Sequence, residues 1–95
     1  MAQNTTIKLN PGVWALLTNA NVTALRVQMQ SGDRLLLKAT VGATAPTTSD
    51  GAIALDPLQI LPADVVIASI WPGVSGANRV YGYIATGGTV SVSHA

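Results

Sequence analysis

Strict alternation of apolar and polar residues on both sides of a short turn cluster is the feature that most restricts the fold of this chain. Around Ser31-Gly32-Asp33, the apolar positions are Leu25, Val27 and Met29 on one side and Leu35, Leu37, Ala39 and Val41 on the other. Successive side chains of a β-strand point to opposite faces, so a period of two indicates a strand with one buried face. The pattern therefore predicts two strands, each contributing its apolar side to a core.

The turn cluster between these strands predicts that they pair as a β-hairpin. A three-residue loop pairs Gln30 with Arg34 and places both apolar sets on one face, which a two-residue loop would not do. The same register puts Arg26 directly opposite Lys38 on the polar face, with Arg34 further along. Opposed like charges destabilise a sheet. Two interpretations remain open: a solvated face on which the side chains bend apart, or a face that an acidic partner neutralises.

A second hairpin is predicted at Gly87-Gly88, a pair typical of a two-residue primed turn, with residues 79–86 and 89–94 as its strands. In its register, three side chains of the first strand lie opposite three of the second: Tyr81, Tyr83 and Ala85 opposite Val90, Val92 and His94. Gly82, in mid-strand, indicates either a bulge or a neighbour packed close against the backbone.

The rest of the chain predicts shorter elements. Residues 5–9, 13–17 and 52–55 have strand patterns, and residues 42–51 have the composition of a loop. Residues 64–71 fit either a buried strand or one helical turn, and we favour the turn because Asp64 could cap it. Six to eight short strands predict an all-β fold, a small β-sandwich or a jelly-roll or barrel. We expect a single domain over residues 1–95, in which residues 1–6 could form a flexible N-terminal arm.

The composition favours a protein that packs against other protein. Only 9% of the residues are charged, against about 25% in a typical soluble domain, and the polar residues are mainly Ser, Thr, Asn and Gln. Hydroxyls cost less to desolvate than ions, and charges are depleted from the centres of interfaces. The net charge of +1 argues against a nucleic-acid partner. We expect no membrane span and no signal peptide, and therefore synthesis in a host cytoplasm.

No reaction can be inferred from the residues, and we predict no enzyme, metal or cofactor. The chain has no Cys, no Glu and one His, His94, which we expect to end a strand facing Tyr81. Three of the four aspartates adjoin Gly or Pro, where Asp commonly stabilises turns. Residues 73–77 nearly match the Gly-x-Ser-x-Gly nucleophile elbow, but Ala77 replaces the last Gly and the required α/β setting is missing.

Aromatic residues are the natural candidates for contacts with a ligand, since sugar-binding modules commonly display exposed aromatic rings. Tyr81 and Tyr83 share a predicted face with apolar strand residues, and Trp14 lies in an apolar run, so we assign these three to the core. Trp71 precedes Pro72-Gly73 on a predicted loop. It is therefore the aromatic residue that we consider as a partner contact.

Several segments together resemble small accessory virion proteins of tailed bacteriophages, above all the capsid decoration (cement) proteins. They are Val22–Gln28, Ala45–Thr47 leading to Gly51–Leu55, Trp71–Gly73, Arg79–Tyr83 and Val90–Ser93. The resemblance implies a compact β-sandwich or jelly roll that binds the outside of an assembled head, often as a trimer, and reinforces contacts between capsomers. Similar patterns occur in head-fibre bases and tail components. The resemblance implies no catalytic residues in this chain.

The sequence thus predicts a structural virion protein on the capsid surface, with the phage major capsid protein and further copies of itself as partners. Many copies on a lattice would provide avidity that one small interface lacks. We expect no nucleic acid, membrane or small-molecule substrate. The alternative is a small binding module, in which Trp71 and the loop of residues 42–51 recognise a glycan or host surface. The candidate contact residues are Arg26, Arg34, Lys38 and Trp71.

Overall fold

The computed structural model describes residues 3–57, 59–61 and 66–94. The strands in these ranges are β1 (Gln3–Leu9), β2 (Ala15–Leu16), β3 (Arg26–Ser31), β4 (Leu35–Thr40), β5 (Ile53–Leu55), β6 (Ile60–Leu61), β7 (Arg79–Tyr83) and β8 (Gly88–His94), and one helical turn, α1 (Ile67–Ile70), precedes β7. No helix in the described part of the chain is long and apolar enough to cross a membrane.

The strands form two antiparallel sheets that pack face to face. The first sheet has the strand order β1-β8-β3-β6 and the second the order β2-β7-β4-β5. Apolar side chains from both sheets meet in one core, where the fully buried ones include Val27, Val90 and Val92 of the first sheet and Leu35, Leu37 and Val80 of the second. This arrangement is a β-sandwich, and the prediction of an all-β fold is confirmed.

The alternation around Gly32 is confirmed, but the first predicted hairpin is wrong. β3 and β4 lie in different sheets, and β3 pairs with β8 and β6, while β4 pairs with β7 and β5. The chain crosses between the sheets at Gly32, whose φ of 119° suits glycine. The two apolar sets therefore face each other across the core. Val41, predicted to continue the apolar set, follows the end of β4 and is 55% exposed.

The second predicted hairpin is wrong for the same reason, because β7 belongs to the second sheet and β8 to the first. Tyr81 pairs with Lys38 and Leu16, whereas His94 pairs with Gln3 of β1. His94 does end a strand, but it does not face Tyr81. Gly82 lies in the second sheet without a bulge, and a Cβ there would come within 3.0 Å of the Leu17 side chain. The predicted close packing at Gly82 is confirmed.

Three connections between the sheets pack together at one end of the sandwich, which we call the crossover end. They lead from β1 to β2, from β3 to β4 and from β7 to β8. A Cβ on Gly32 would lie 3.0 Å from the carbonyl oxygen of Gly87, and a Cβ on Gly87 would lie 3.1 Å from that of Leu9. The Thr86 hydroxyl also donates a hydrogen bond of 3.2 Å to Asp33. Gly87-Gly88 therefore allows the connections to pack closely. The pair does not form the two-residue turn of a hairpin.

Other sequence predictions have mixed outcomes. Residues 3–6, expected in a flexible arm, belong to β1 and pair with β8, while residues 1 and 2 lie outside the described residues. A helical turn occurs at Ile67–Ile70, within the predicted range. The expected cap, Asp64, lies outside the described residues. Residues 42–51 contain neither strand nor helix, which confirms the predicted loop.

Candidate functional site

The outward side of the first sheet is a continuous surface that we call the polar face. The register of β1, β8, β3 and β6 places ten outward residues on it: Asn4, Thr6, Lys8, Arg26, Gln28, Ser31, Ile60, Thr89, Ser91 and Ser93. Seven of these ten are uncharged Ser, Thr, Asn or Gln, two are basic and none is acidic. Flat hydroxyl and amide surfaces are cheaper to desolvate than charged ones, so the polar face is suited to burial against another protein.

Side-chain hydrogen bonds connect neighbouring strands within the polar face. The guanidinium of Arg26 donates to the Ser91 hydroxyl at 3.1 Å. The hydroxyls of Ser31 and Thr89 share a hydrogen bond of 2.9 Å. Such cross-strand contacts hold side chains in fixed positions, which lowers the entropy lost when a partner binds.

Arg26 and Lys38 do not form the predicted pair of opposed charges. Arg26 lies on the polar face opposite Ser93, whereas Lys38 lies on the outward side of the second sheet opposite Tyr81. The hairpin register that set them side by side does not exist, so both interpretations of that pair lose their basis. Lys38 instead donates hydrogen bonds to the carbonyl and hydroxyl oxygens of Thr48, at 3.2 and 3.4 Å.

The other two predicted contact residues are placed differently from each other. Arg34 forms an exposed ion pair with Asp56, in which the two side-chain atoms lie 3.3 Å apart; such pairs contribute little to stability. Trp71 is only 6% exposed, and its indole N–H donates to the carbonyl of Gly51 at 3.2 Å. Trp71 lies in the coil that follows α1, as predicted, but its ring is buried in the core cluster. A role of these residues in partner contact stays a prediction.

The outward side of the second sheet is covered in part by the loop of residues 41–52, which we call the covering loop. One end is fixed by Asn78, whose side-chain oxygen accepts a 2.8 Å hydrogen bond from the Gly42 N–H. The other end is fixed by the bond from Trp71 to Gly51. Lys38 holds the middle through Thr48. Hydrogen bonds therefore hold the covering loop near both ends and in the middle.

Beside the covering loop lies a cleft of about 310 Å³, which we call the aromatic cleft. One wall consists of Trp14 and Tyr83, whose ring centroids are 5.1 Å apart and whose planes are tilted by 40°. Leu36 pairs with Tyr83 across β4 and β7 and also lines the cleft. The facing residues are those of the covering loop, Thr47, Thr48 and Ser49, and Gly12 completes the lining.

Sequence reasoning assigned Trp14 and Tyr83 to the core, and this assignment was wrong because both are only half-buried. The inward positions of β7 are Val80 and Gly82, followed by Ile84, so Tyr81 and Tyr83 point outward. A signal was present in the sequence: Gly82 at an inward position places the two Tyr residues that flank it on the outward side, where Tyr81 is nevertheless buried (5% exposed) and Tyr83 is half-buried.

Comparisons with models of known protein families, with curated proteins and with solved structures find no match to this chain. Among the described residues, no three His, Asp or Glu side chains are close enough to hold a metal ion together. A second cleft, of about 360 Å³, brings the predicted contact residues Lys38 and Trp71 together beside Gly51. We infer a function from the polar face and the aromatic cleft.

His94 should make the stability of the domain depend on pH. Burial disfavours the imidazolium, so the pKa of His94 is lowered from its ordinary value of 6.5; Nε2 lies 3.2 Å from the Gln3 side-chain oxygen. The unfolded chain therefore binds this proton at a higher pH than the folded chain does. The contribution of His94 to the free energy of unfolding is complete above the pKa of His94 in the unfolded chain, and it is lost as the pH falls below that value. We expect the melting temperature to fall between about pH 7 and 5.

The matched variant is His94→Gln, whose amide can still reach Gln3 but does not titrate. Thermal melts of both proteins across this range check the prediction. His94→Gln should lose most of the pH dependence, because the substitution removes the imidazole that titrates. Equal pH dependence in the two proteins would assign the effect to another group.

Proposed function

We propose that this chain is a structural protein of a phage virion, of the capsid decoration type, which docks on the assembled head and stabilises contacts between capsomers. The observation that supports this proposal is the polar face, a sheet surface with two basic side chains, no acidic one and seven uncharged polar residues. The resemblance of the sequence to accessory virion proteins points in the same direction. The partner is the major capsid protein, in an oligomer with further copies of the chain.

The polar face fits this role because its burial has a low desolvation cost. Transfer of a hydroxyl or amide out of water is offset by one new hydrogen bond, whereas an unpaired ion costs far more. The two cations, Lys8 and Arg26, favour a partner surface that offers carboxylates or carbonyl oxygens. Each copy contributes a modest contact, and the repetition of copies on a lattice multiplies the effect.

Self-association is the second element of the proposal. Identical chains associate most often as closed cyclic oligomers, and the resemblance favours a trimer. Light scattering on the purified protein measures the mass directly. Cosedimentation with emptied heads of the phage whose genome encodes the chain tests the docking. A protein that is strictly monomeric and stays in the supernatant would overturn the proposal.

A carboxylate placed on the polar face should weaken docking. Thr6 is exposed in β1, where it pairs with Ser91, so we expect Thr6→Glu to fold normally. The added charge has to be desolvated on docking and opposes an acidic partner, and we expect binding to heads to fall by at least about tenfold, or ~1.4 kcal/mol. Cosedimentation over a range of protein concentrations measures this change.

The control for Thr6→Glu is Ser75→Glu, which adds the same charge at an exposed position in the loop that follows α1. It should bind heads as the unmodified protein does. If both variants bind less well, net charge and not the polar face controls docking. If neither does, the docking surface lies elsewhere on the molecule.

A further inference from the structure

The aromatic cleft has the features of a ligand site that the docking proposal does not use. It lies on the outward side of the second sheet, whereas the polar face is the outward side of the first. Its volume of about 310 Å³ is at the lower end of the range of small-molecule sites, roughly 300–1,000 Å³. The cleft has room for a ligand unit of about the size of a mono- or disaccharide.

The aromatic wall provides the apolar part of recognition. Trp14 and Tyr83 are in contact with each other and remain half-exposed, although full burial would stabilise large aromatic rings most. The face of an aromatic ring is electron-rich. It therefore attracts the weakly positive C–H groups that one face of a pyranose ring presents.

The covering loop provides the polar part of recognition. Thr47, Thr48 and Ser49 line the cleft in succession, and a hydroxyl can both donate and accept, as the hydroxyls of a sugar do. In the described part of the chain, the Thr47 and Ser49 hydroxyls have no hydrogen-bond partner, nor has the Tyr83 hydroxyl. Up to three hydroxyl groups are thus available to a ligand.

The charges around the cleft select for a neutral ligand. None of the seven residues that line it is an Asp, Glu, Lys, Arg or His. The nearby ammonium of Lys38 keeps its charge, but it donates two hydrogen bonds to Thr48 and does not line the cleft. A charged ligand would lose its hydration in the cleft without a charged side chain in direct contact.

The walls of the cleft are held in place before a ligand binds. Lys38 fixes the covering loop through Thr48. The Gly12 N–H donates to the carbonyl of Ile84 at 3.2 Å, which ties the segment before Trp14 to the end of β7. A preformed site keeps the entropy cost of binding low.

From these features we propose that the aromatic cleft is a binding site for a neutral saccharide, with Trp14 and Tyr83 as the stacking surface and Thr47 and Ser49 as hydrogen-bonding residues. The site differs from the one expected from sequence, since Trp71 is buried outside it. A protein docked through its polar face would present the cleft on its opposite side. The inference does not depend on docking, because it concerns the isolated protein.

The test is a titration of the ¹⁵N-labelled protein, followed by ¹H–¹⁵N correlation spectra. The probes are glucose, galactose, mannose, N-acetylglucosamine, maltose, cellobiose and lactose at millimolar concentrations, with glucuronic acid and N-acetylneuraminic acid as charged counterparts. We expect saturable shifts with at least one neutral sugar, centred on the Trp14 indole N–H and on residues 47–49. The charged sugars should bind more weakly.

Two pairs of variants assign the binding to the cleft. Trp14→Ala should weaken the affinity by at least about tenfold, whereas Trp14→Phe, which keeps a stacking ring, should retain most of it. Ser49→Ala should weaken binding by roughly fivefold, the loss of about one hydrogen bond, and Ser75→Ala should have no effect. The serine pair keeps the proposal testable if Trp14→Ala does not fold.

The proposal is overturned if no neutral sugar gives a saturable shift, or if the shifts lie away from the cleft. It is also overturned if the charged sugars bind better, or if Trp14→Ala and Ser49→Ala bind as well as the unmodified protein. A protein that binds sugar but not heads would disprove docking alone. One that binds heads but no sugar would disprove the saccharide site alone.

Discussion

Val27→Asp should abolish the folded state. The Val27 side chain has no exposed surface, and it pairs with Val92 on one side and with Leu61 on the other. An ionised carboxylate at this position would have no partner in the core, at a cost of several kcal/mol. That cost is comparable with the whole stability of a small domain, ~5–15 kcal/mol. Circular dichroism should show no cooperative thermal transition.

Gln28→Asp is the matched control, because it introduces the same carboxylate one residue away on the polar face. Its melting temperature should stay within about 5–8 °C of the unmodified protein, which corresponds to ~1 kcal/mol in a domain of this size. If Gln28→Asp were the variant that fails to fold, the inward and outward faces of β3 would be exchanged.

Gly88→Ala should be the most damaging of the Gly→Ala substitutions in this chain. A Cβ on Gly88 would lie 3.1 Å from the Gly32 Cα and even closer to the carbonyl group of Ser31. Both neighbours are backbone, so neither can move aside by changing a rotamer. Overpacking of this kind typically costs 1–3 kcal/mol, and with backbone on both sides we expect about 3 kcal/mol or more, a fall in melting temperature beyond about 10 °C.

Gly73→Ala provides the comparison for Gly88→Ala. A Cβ at Gly73 meets nothing within 4 Å, and the residue is not among those with positive φ, so the substitution should leave the melting temperature unchanged or raise it slightly. Thermal melts of both variants measure the difference. Similar melting temperatures for the two would mean that the connections at the crossover end pack less closely than described.

The alternation of residues predicted which side chains enter the core, but not which strands pair. Val27 and Leu37 are both fully buried, as their positions in the pattern predicted. A period of two is satisfied equally by a hairpin, in which the apolar sides lie next to each other, and by a connection between sheets, in which they face each other. A glycine between two strands does not distinguish these arrangements. Gly32 and Gly87 allow the connections between sheets to pack closely, and a hairpin turn would require glycine at the same positions.

The candidate sites depend on pairings that single-sequence patterns do not contain. The hydroxyl-rich runs near Asn4 and Ser91 were visible in the sequence, and so was their low charge. They form one face because β8 lies between β1 and β3, which no local pattern reveals. The aromatic cleft has the same origin: Trp14 and Tyr83 are distant in sequence and meet because β2 and β7 are neighbours.

The central position of β8 in the first sheet has a consequence for how the chain folds as it is synthesised. β1 and β3 are made early, yet both pair with β8, which leaves the ribosome after all other described elements. Until then, the two strands have unpaired backbone edges and an uncovered apolar side, the conditions under which β-rich chains aggregate. Their closure has to await a distant segment, which slows folding. The synthesis of β8 should therefore be the step after which the first sheet can form.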